Sequence, residues 1–184
     1  MKKIIIGCFM ILVNVYFYAG SSIIGLIPDF AGYILISNGI KECVEEINVY
    51  KKVQKCAFAA CIFSAAIWVM DLTTATSRLY YKFGAEWGYA FRAVSIIFIG
   101  IVTYMLINVF NYVSTRYKFV YGFMPLRLSW LFTVLINMVM LIYSDNAVIY
   151  SWIALGEVLA ALMFLVMLYL AFEKAFEVSK GKKL

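Results

Sequence analysis

A single carboxylate lies inside one of the most apolar stretches of the chain. Glu157 stands in the run IALGEVLAALMF, residues 153–164, which holds no other charged residue. An ionised side chain costs far more in hydrocarbon than beside water, so a carboxylate in such a run needs a partner, a proton or a functional role. Alanines surround Glu157 on a helical projection, and this predicts that it faces other helices and not lipid.

Three further charges are predicted to lie near Glu157, at the outer membrane surface. Asp29 begins one apolar segment, Asp71 ends another, and Arg92 begins a third. One hypothesis is an outward-facing polar pocket in which Glu157 is the deepest group, with Arg92 as its nearest cation by depth. The other is a protonated Glu157 that bonds to a neighbouring helix for structure alone. Asp29 also has a local explanation, because a carboxylate complements the positive end of a helix dipole.

Enzyme chemistry is disfavoured by the residues that are missing. The chain has no histidine, and therefore no imidazole base, no His metal ligand and no Ser/His/Asp or Cys/His set. It has no Gly-rich phosphate loop, and its acids show no paired spacing. The sequence predicts no catalytic residue, no cofactor and no metal site. Free thiols are expected at the four cysteines, which form no C-x-x-C pair: Cys8, Cys43, Cys56 and Cys61.

The overall composition is that of a membrane protein. Of 184 residues, 65% are hydrophobic and 14% are charged, where a soluble domain has about half apolar and about a quarter charged residues. We expect one all-α transmembrane helix bundle over residues 1–172, followed by a basic cytoplasmic tail over residues 173–184.

Apolar runs and charge breaks predict about six helices that cross the membrane. The predicted crossings are Ile4–Ala19, Pro28–Ile40, Cys56–Thr73, Phe91–Val113, Leu126–Tyr143 and Ile149–Phe172. With both termini in the cytoplasm, 13 of the 16 basic residues lie inside and only Arg78, Lys82 and Arg92 lie outside, as the positive-inside rule requires. The net charge of +6 then follows from topology, and no nucleic-acid partner is expected.

The second predicted crossing is short. Pro28–Ile40 holds 13 residues, about 20 Å of helix. Either the segment thins the bilayer, or the helix extends beyond Ile40 as an amphipathic stretch against the inner surface, with Val44, Ile47 and Val53 on its apolar side.

Polar residues recur at helical spacing in two predicted crossings. Ser129, Thr133 and Asn137 follow one another in the fifth, and Tyr104 and Asn108 do so in the fourth. Such rows are expected to face protein and to hydrogen-bond between helices, since an amide in lipid must find a partner. A polar pathway through the bundle is the alternative.

Small residues predict close helix packing in the second and third crossings. Gly32 and Gly39 are seven residues apart in the second. Two neighbouring rows mark the third, since small side chains let two backbones approach closely: Ala57, Cys61 and Ala65, and Ala60 and Ser64.

One segment carries a family resemblance. Residues 20–40, GSSIIGLIPDFAGYILISNGI, follow an N-terminal hydrophobic run, and the specific part is IGLIPDF-GYIL. In this first quarter the chain resembles small, largely uncharacterised multi-pass membrane proteins of Gram-positive bacteria. The resemblance implies a bacterial cytoplasmic membrane location, and it implies no activity, ligand or catalytic residue.

Two function classes remain. The favoured one is a non-enzymatic integral membrane protein that acts as a partner or subunit through helix packing, with another membrane protein or a second copy of itself. The alternative is a carrier or binding protein for a small solute or lipid, built around the pocket at Glu157. Carriers often contain inverted repeats, and residues 1–90 and 91–184 show no convincing match. A closed bundle would favour the first class, and an outward cavity reaching Glu157 the second.

Overall fold

Six α-helices and one β-hairpin form the part of the chain that the computed structural model describes. The described residues are 2–13, 16–19, 22–25, 28–43, 47–73, 85–117, 123–142 and 147–181. The elements are α1 (Lys2–Leu12), β1 (Tyr16–Ala19), β2 (Ser22–Gly25), α2 (Asp29–Cys43), α3 (Ile47–Leu72), α4 (Ala85–Tyr117), α5 (Phe123–Ile142) and α6 (Ala147–Gly181). The prediction of an all-α bundle with about six helices is confirmed, with the hairpin as an addition.

Four of the helices are long and apolar enough to cross a lipid bilayer. These stretches hold 19 to 24 residues each, and at ~1.5 Å per residue they cover the ~30 Å hydrocarbon layer: Lys51–Leu72, Tyr89–Tyr112, Met124–Ile142 and Ser151–Lys174. The protein therefore has the helices of an integral membrane protein. The number of crossings and the cytoplasmic termini stay predictions, since the loop cations Arg78, Lys82 and Lys118 lie outside the described residues.

The predicted first helix over Ile4–Ala19 is wrong beyond its first part. Helix α1 ends at Leu12 after 11 residues, about 16 Å. Residues 16–19 of the predicted helix are instead extended, because β1 pairs antiparallel with β2 and places Phe17 opposite Ile24. Aromatic and β-branched residues favour strands, and a short apolar run does not by its spacing distinguish a strand from a buried helix.

The predicted extension of the second helix is also wrong. Helix α2 ends at Cys43, and the apolar positions Ile47 and Val53 belong to the first turns of α3, which continues to Leu72. Val44 lies outside the described residues. The amphipathic stretch is therefore the start of the third helix and not the end of the second.

Helices α1 and α2 form an antiparallel pair held by glycines. Gly7 of α1 lies against Gly32, and Gly39 of α2 lies against Ile4. The predicted packing role of Gly32 and Gly39 is confirmed, since each backbone approaches the other helix too closely for a side chain.

Helix α4 lies at the centre of the bundle. It contacts α1, α3, α5 and α6, while α1 also contacts α6 and α3 contacts both α2 and β2. The buried core draws on α1, α2, α4 and α6, and its largest fully buried side chains include Phe110 and Phe164. The Phe110 ring meets the Phe172 ring edge-on at 5.6 Å between centroids, which joins the far ends of α4 and α6.

The small residues of α3 lie where it packs against the bundle. Ala57 and Ala60 are buried, at 1% and 0% exposure, while Cys61, Ser64 and Ala65 are half-buried. The prediction of close packing is confirmed for the two buried alanines. At the other end of the chain, α6 continues without a break past Phe172 to Gly181, so most of the predicted tail is helical.

Candidate functional site

Glu157 lies on the face of α6 that packs into the bundle. Its side chain is 8% exposed. The buried residues that follow it recur at three- and four-residue intervals, which is one helical face: Ala160, Ala161, Phe164, Leu165, Leu168, Ala171 and Phe172. The prediction that Glu157 faces protein and not lipid is confirmed.

Arg92 and Glu157 lie at the same end of the α4–α6 pair. A Cβ on Gly100 would lie 3.8 Å from Val134, and one on Gly156 would lie 3.5 Å from Ile136. Together with the hydrogen bonds described below, these contacts show that α5 runs antiparallel to both α4 and α6, so that α4 and α6 run in the same direction.

The contact between the rings of Phe110 and Phe172 shows which residues of α4 and α6 lie at the same height along the bundle. Counting the same 18 residues back from each ring leads from Phe110 to Arg92 and from Phe172 to Ala154. Glu157 is three residues beyond Ala154, so its backbone lies deeper in the bundle than the backbone of Arg92.

The two aspartates lie together at one end of the α2–α3 pair. The rings of Phe30 and Trp68 meet edge-on at 5.7 Å between centroids. Asp29 precedes Phe30 by one residue, and Asp71 follows Trp68 by three. Asp71 and Arg92 are both half-buried, and they stand near the two helix ends that residues 74–84 connect. Asp29 and Asp71 thus lie near one end of the α2–α3 pair, and Arg92 lies near the start of α4, the helix that follows Asp71 in the chain.

None of the three charges Asp71, Arg92 and Glu157 is isolated, since each makes a polar or electrostatic contact. Within the described ranges, no three His, Cys, Asp or Glu side chains converge in a way that would hold a metal ion. The arrangement provides a buried acid on α6, with the cation Arg92 nearer the same end of the α4–α6 pair.

A hydrogen-bonded chain of side chains ties α4, α5 and α6 together. Trp130 Nε1 of α5 donates to Thr103 Oγ1 of α4 at 3.0 Å, and Thr103 Oγ1 in turn donates to the Ile99 carbonyl at 2.6 Å. Thr133 Oγ1 reaches the Ala160 carbonyl of α6 at 3.1 Å, besides the Ser129 carbonyl of its own helix at 2.9 Å. These bonds join three helices through two side-chain hydroxyls and one indole.

The predicted polar row of α5 is confirmed as protein-facing. Ser129 and Thr133 are buried, at 0% and 3% exposure, and Asn137 donates to the Thr133 carbonyl at 2.9 Å. Only the bond from Thr133 to Ala160 crosses between helices, while Ser129 bonds within α5, to the Leu126 carbonyl.

The predicted polar row of α4 is wrong. Tyr104 is 47% exposed, and Asn108 is exposed as well. The polar residues of α4 that face the bundle include Thr103 and Ser114, at 2% and 4% exposure, and neither was predicted from the sequence. Thr103 lies at helical spacing from the buried Ile96, Ile99 and Leu106. The spacing of these apolar residues in the sequence therefore predicts that Thr103 faces the bundle.

A small cavity lies beside this chain, in the middle of the bundle. Its volume is about 10 Å³, and its polar lining consists of Thr103, Trp130, Thr133 and Asn137. A space of ~10–15 Å³ with two to four polar partners is about what one water molecule needs. Leu12 closes it on the α1 side. The cavity has no room for a solute.

Two larger grooves lie on the outside of the bundle. One, between α2 and α3, has a volume of about 410 Å³. The other, between α4 and α5, has a volume of about 400 Å³ and is lined by Tyr104, Arg127 and Trp130 among others. The Tyr104 and Trp130 rings are 5.2 Å apart between centroids. Glu157 lines none of these three cavities.

Comparison of the chain with models of protein families, with curated proteins and with solved structures gives no significant match. The resemblance of residues 20–40 to uncharacterised bacterial membrane proteins therefore stays a prediction.

Proposed function

We propose that this protein is a non-enzymatic integral membrane protein that acts as a partner or subunit, by packing against another membrane protein or a second copy of itself. The proposal is carried by a row of exposed side chains on α3, here called the α3 seam: Ala59, Ile62, Ala66 and Val69. These residues follow at intervals of three and four, the spacing at which one helix packs along another.

Helix α3 is the least covered of the four long helices. Only 17% of its apolar window is buried inside the protein, against 44% for the central helix α4. Its covered face holds Ala57 and Ala60, so the α3 seam lies on a different face from the one that packs against the bundle. A helix with this much free apolar surface has room for a partner helix.

The residue types of the α3 seam suit helix association in lipid. Lipid tails are as apolar as leucine, so helices in a membrane associate through close packing and not through the hydrophobic effect. Ala59 and Ala66 are small enough to let a second backbone approach. Ile62 and Val69, at 56% and 53% exposure, alternate with them and would fill the spaces between.

The interior of the bundle supports a partner role over a carrier role. Glu157 is packed at 8% exposure, and the described cavity beside the α5 polar row holds about one water molecule. A carrier built around Glu157 would need a solute-sized opening that reaches this residue.

The location that fits the proposal is a bacterial cytoplasmic membrane, with both termini in the cytoplasm. The charge distribution supports this orientation, since 13 of the 16 basic residues then lie inside. Reporter fusions at the two termini test it, and reporters on opposite sides of the membrane would exclude it.

The experiment for the partner role replaces alanines by leucine, inside and outside the α3 seam. Ala59→Leu with Ala66→Leu fills the α3 seam, and Ala90→Leu places the same side chain at an exposed alanine of α4. Native mass spectrometry of the full chain, released from membranes in mild detergent, counts copies and identifies any second polypeptide. We expect the double variant to lose the associated species and Ala90→Leu to keep it.

Two results contradict the partner role. A wild-type protein that is released only as a single, unaccompanied chain would exclude it. An associated species that survives in the double variant at the wild-type level would show that the α3 seam is not the contact. Thermal unfolding of the monomer serves as the control, because substitutions at exposed positions should leave it unchanged.

A further inference from the structure

The groove between α2 and α3 has the size of a ligand site, and its lining changes from polar to apolar along its length. Its volume is about 410 Å³, within the ~300–1,000 Å³ typical of small-molecule sites. Residues from both helices line it: Tyr33, Ile34, Ser37, Asn38, Lys51, Gln54, Lys55, Ala57, Phe58 and Cys61. None of these residues belongs to the α3 seam, although Phe58 lies one turn before Ile62 on the same helix.

The α3 wall of the groove changes from charged to apolar along the helix. Lys51 and Lys55 are exposed one turn apart, and Phe58 follows with 64% of its surface exposed. Lys51 is the first residue of the apolar span that ends at Leu72. In a bilayer that covers this span, the two ammonium groups would lie at the depth of lipid headgroups, and the Phe58 backbone would lie about 4.5 Å further in than that of Lys55.

The α2 wall of the groove also changes from polar to apolar, towards the same end of the groove. Helix α2 runs antiparallel to α3, because Phe30 near its start meets Trp68 near the end of α3. Asn38 and Ser37 therefore stand at the polar end of the groove, and Ile34, which is 47% exposed, stands at its apolar end. Both walls present hydrogen-bonding or cationic groups at one end and hydrocarbon at the other.

The polar end of the groove is positively charged. Among the described residues, its lining includes two lysines and no acidic side chain. Glu42, on the next turn of α2 after Asn38, is paired with Lys3 of α1. A cationic end joined to an apolar end matches a molecule with an anionic head and a hydrocarbon tail.

We propose that the α2–α3 groove binds one anionic glycerophospholipid, with its phosphate between Lys51 and Lys55 and the first part of an acyl chain along Ile34 and Phe58. Ser37 and Asn38 donate to the ester and headgroup oxygens from the opposite wall. The described lining of the groove between α4 and α5 includes one cation, Arg127, against two in the α2–α3 groove.

The experiment titrates lipids onto the purified full chain in detergent and follows adducts by native mass spectrometry. The probes are phosphatidylglycerol and phosphatidylcholine with identical acyl chains. A cation near a membrane surface strengthens the binding of an anionic headgroup about fivefold, so two lysines should favour phosphatidylglycerol by about 25-fold. Raising the salt concentration should reduce this preference.

Matched variants test each end of the groove. Lys51→Gln with Lys55→Gln should remove most of the preference for phosphatidylglycerol. Lys2→Gln with Lys52→Gln removes the same charge from two exposed lysines outside the lining and should keep it. Phe58→Ala should weaken binding of both lipids, whereas Phe132→Ala, at a phenylalanine of α5 that is 51% exposed, should not.

Three results overturn the inference. Equal losses in the two lysine double variants would mean a general surface-charge effect, and equal affinity for the two lipids would mean that the headgroup charge is not recognised. Displacement of the lipid by millimolar inorganic phosphate, with Phe58→Ala binding as the wild type does, would mean a site for free anions. Thermal unfolding without lipid checks that every variant is folded, as expected for exposed positions.

Discussion

Gly7 of α1 and Gly32 of α2 touch backbone to backbone. A Cβ on Gly7 would lie 2.6 Å from the Gly32 carbonyl oxygen, and a Cβ on Gly32 would lie 2.7 Å from the Gly7 carbonyl oxygen. The contact is symmetric, and the atom in the way is backbone in both cases, so neither helix can yield without moving as a whole.

Alanine at either glycine should therefore destabilise the α1–α2 pair. We expect Gly7→Ala and Gly32→Ala each to lower the free energy of unfolding by about 1–3 kcal/mol, the usual cost of overpacking. Gly100→Ala is the control, because its Cβ would meet nothing closer than Val134 at 3.8 Å. Denaturant titration in mixed micelles measures the difference. A Gly7→Ala protein as stable as Gly100→Ala would contradict the close approach.

The hydroxyl of Thr133 should contribute to the packing of α5 on α6. Thr133→Val removes the bond to the Ala160 carbonyl and keeps the volume, and we expect a loss of about 0.6–1.7 kcal/mol, as for other hydrogen bonds between membrane helices. Thr115→Val removes a bond within α4, to the Asn111 carbonyl at 2.9 Å and on an exposed side chain, and should cost less. Equal effects of the two substitutions on unfolding in micelles would argue against the interhelical bond.

The Glu157→Gln variant distinguishes a protonated Glu157 with a structural role from an ionised Glu157 in a buried ion pair. Glutamine fills the same volume on the packed face of α6 and keeps a hydrogen-bonding group there, so we expect abundance, thermal stability and partner association close to wild type. A loss of about 3–5 kcal/mol would instead indicate a buried ion pair broken on one side. Loss of association or of a ligand response with the fold intact would give Glu157 a functional role.

The ion pair between Lys3 and Glu42 should make stability depend on pH at the acidic end. The hydrogen bond from Lys3 lowers the pKa of Glu42 below its ordinary value of 4.5. Since the folded-state pKa is the lower one, the pair stabilises the fold fully above the unfolded pKa and loses its effect as pH falls through the folded pKa. Both side chains are about half exposed, so the effect is small and weakened by salt.

Thermal unfolding between neutral and acidic pH tests the Lys3–Glu42 pair. The difference in stability between wild type and Lys3→Gln should be present at neutral pH and vanish in acid. The control, Lys2→Gln, alters a neighbouring lysine on α1 and should show no such difference. A Lys3→Gln difference that is constant across the pH range would contradict the pair.

The inward orientation of Glu157 was predictable because the signal is local. Small residues one turn away on the same helix indicate close approach by another helix, and the side chain is indeed buried. The polar row of α4 was not predictable in the same way. The spacing of Tyr104 and Asn108 favours one face of α4, whereas the apolar residues Ile96, Ile99 and Leu106 share a face with the adjacent Thr103. Tyr104 is exposed, and Thr103 is buried and accepts a hydrogen bond from Trp130 of α5.

The position at which α1 ends was not predictable from hydropathy. Residues 16–19 continue the apolar run that begins at Ile4, yet they pair with residues 22–25 as a β-hairpin. The contact between β2 and α3 is long-range, and such contacts are not encoded in the local spacing of apolar residues.

The sequence by itself determined that this is a chain of long apolar helices suited to a membrane, because the transfer of a helix into hydrocarbon depends on the composition of one continuous run. It also placed the four longest helices and the packing glycines Gly32 and Gly39, though not Gly7. Only the tertiary structure decided which faces are covered, where the α2–α3 groove opens, and that the interior holds a cavity of water size. Those features arise from contacts between residues far apart in the chain, and no local pattern specifies them.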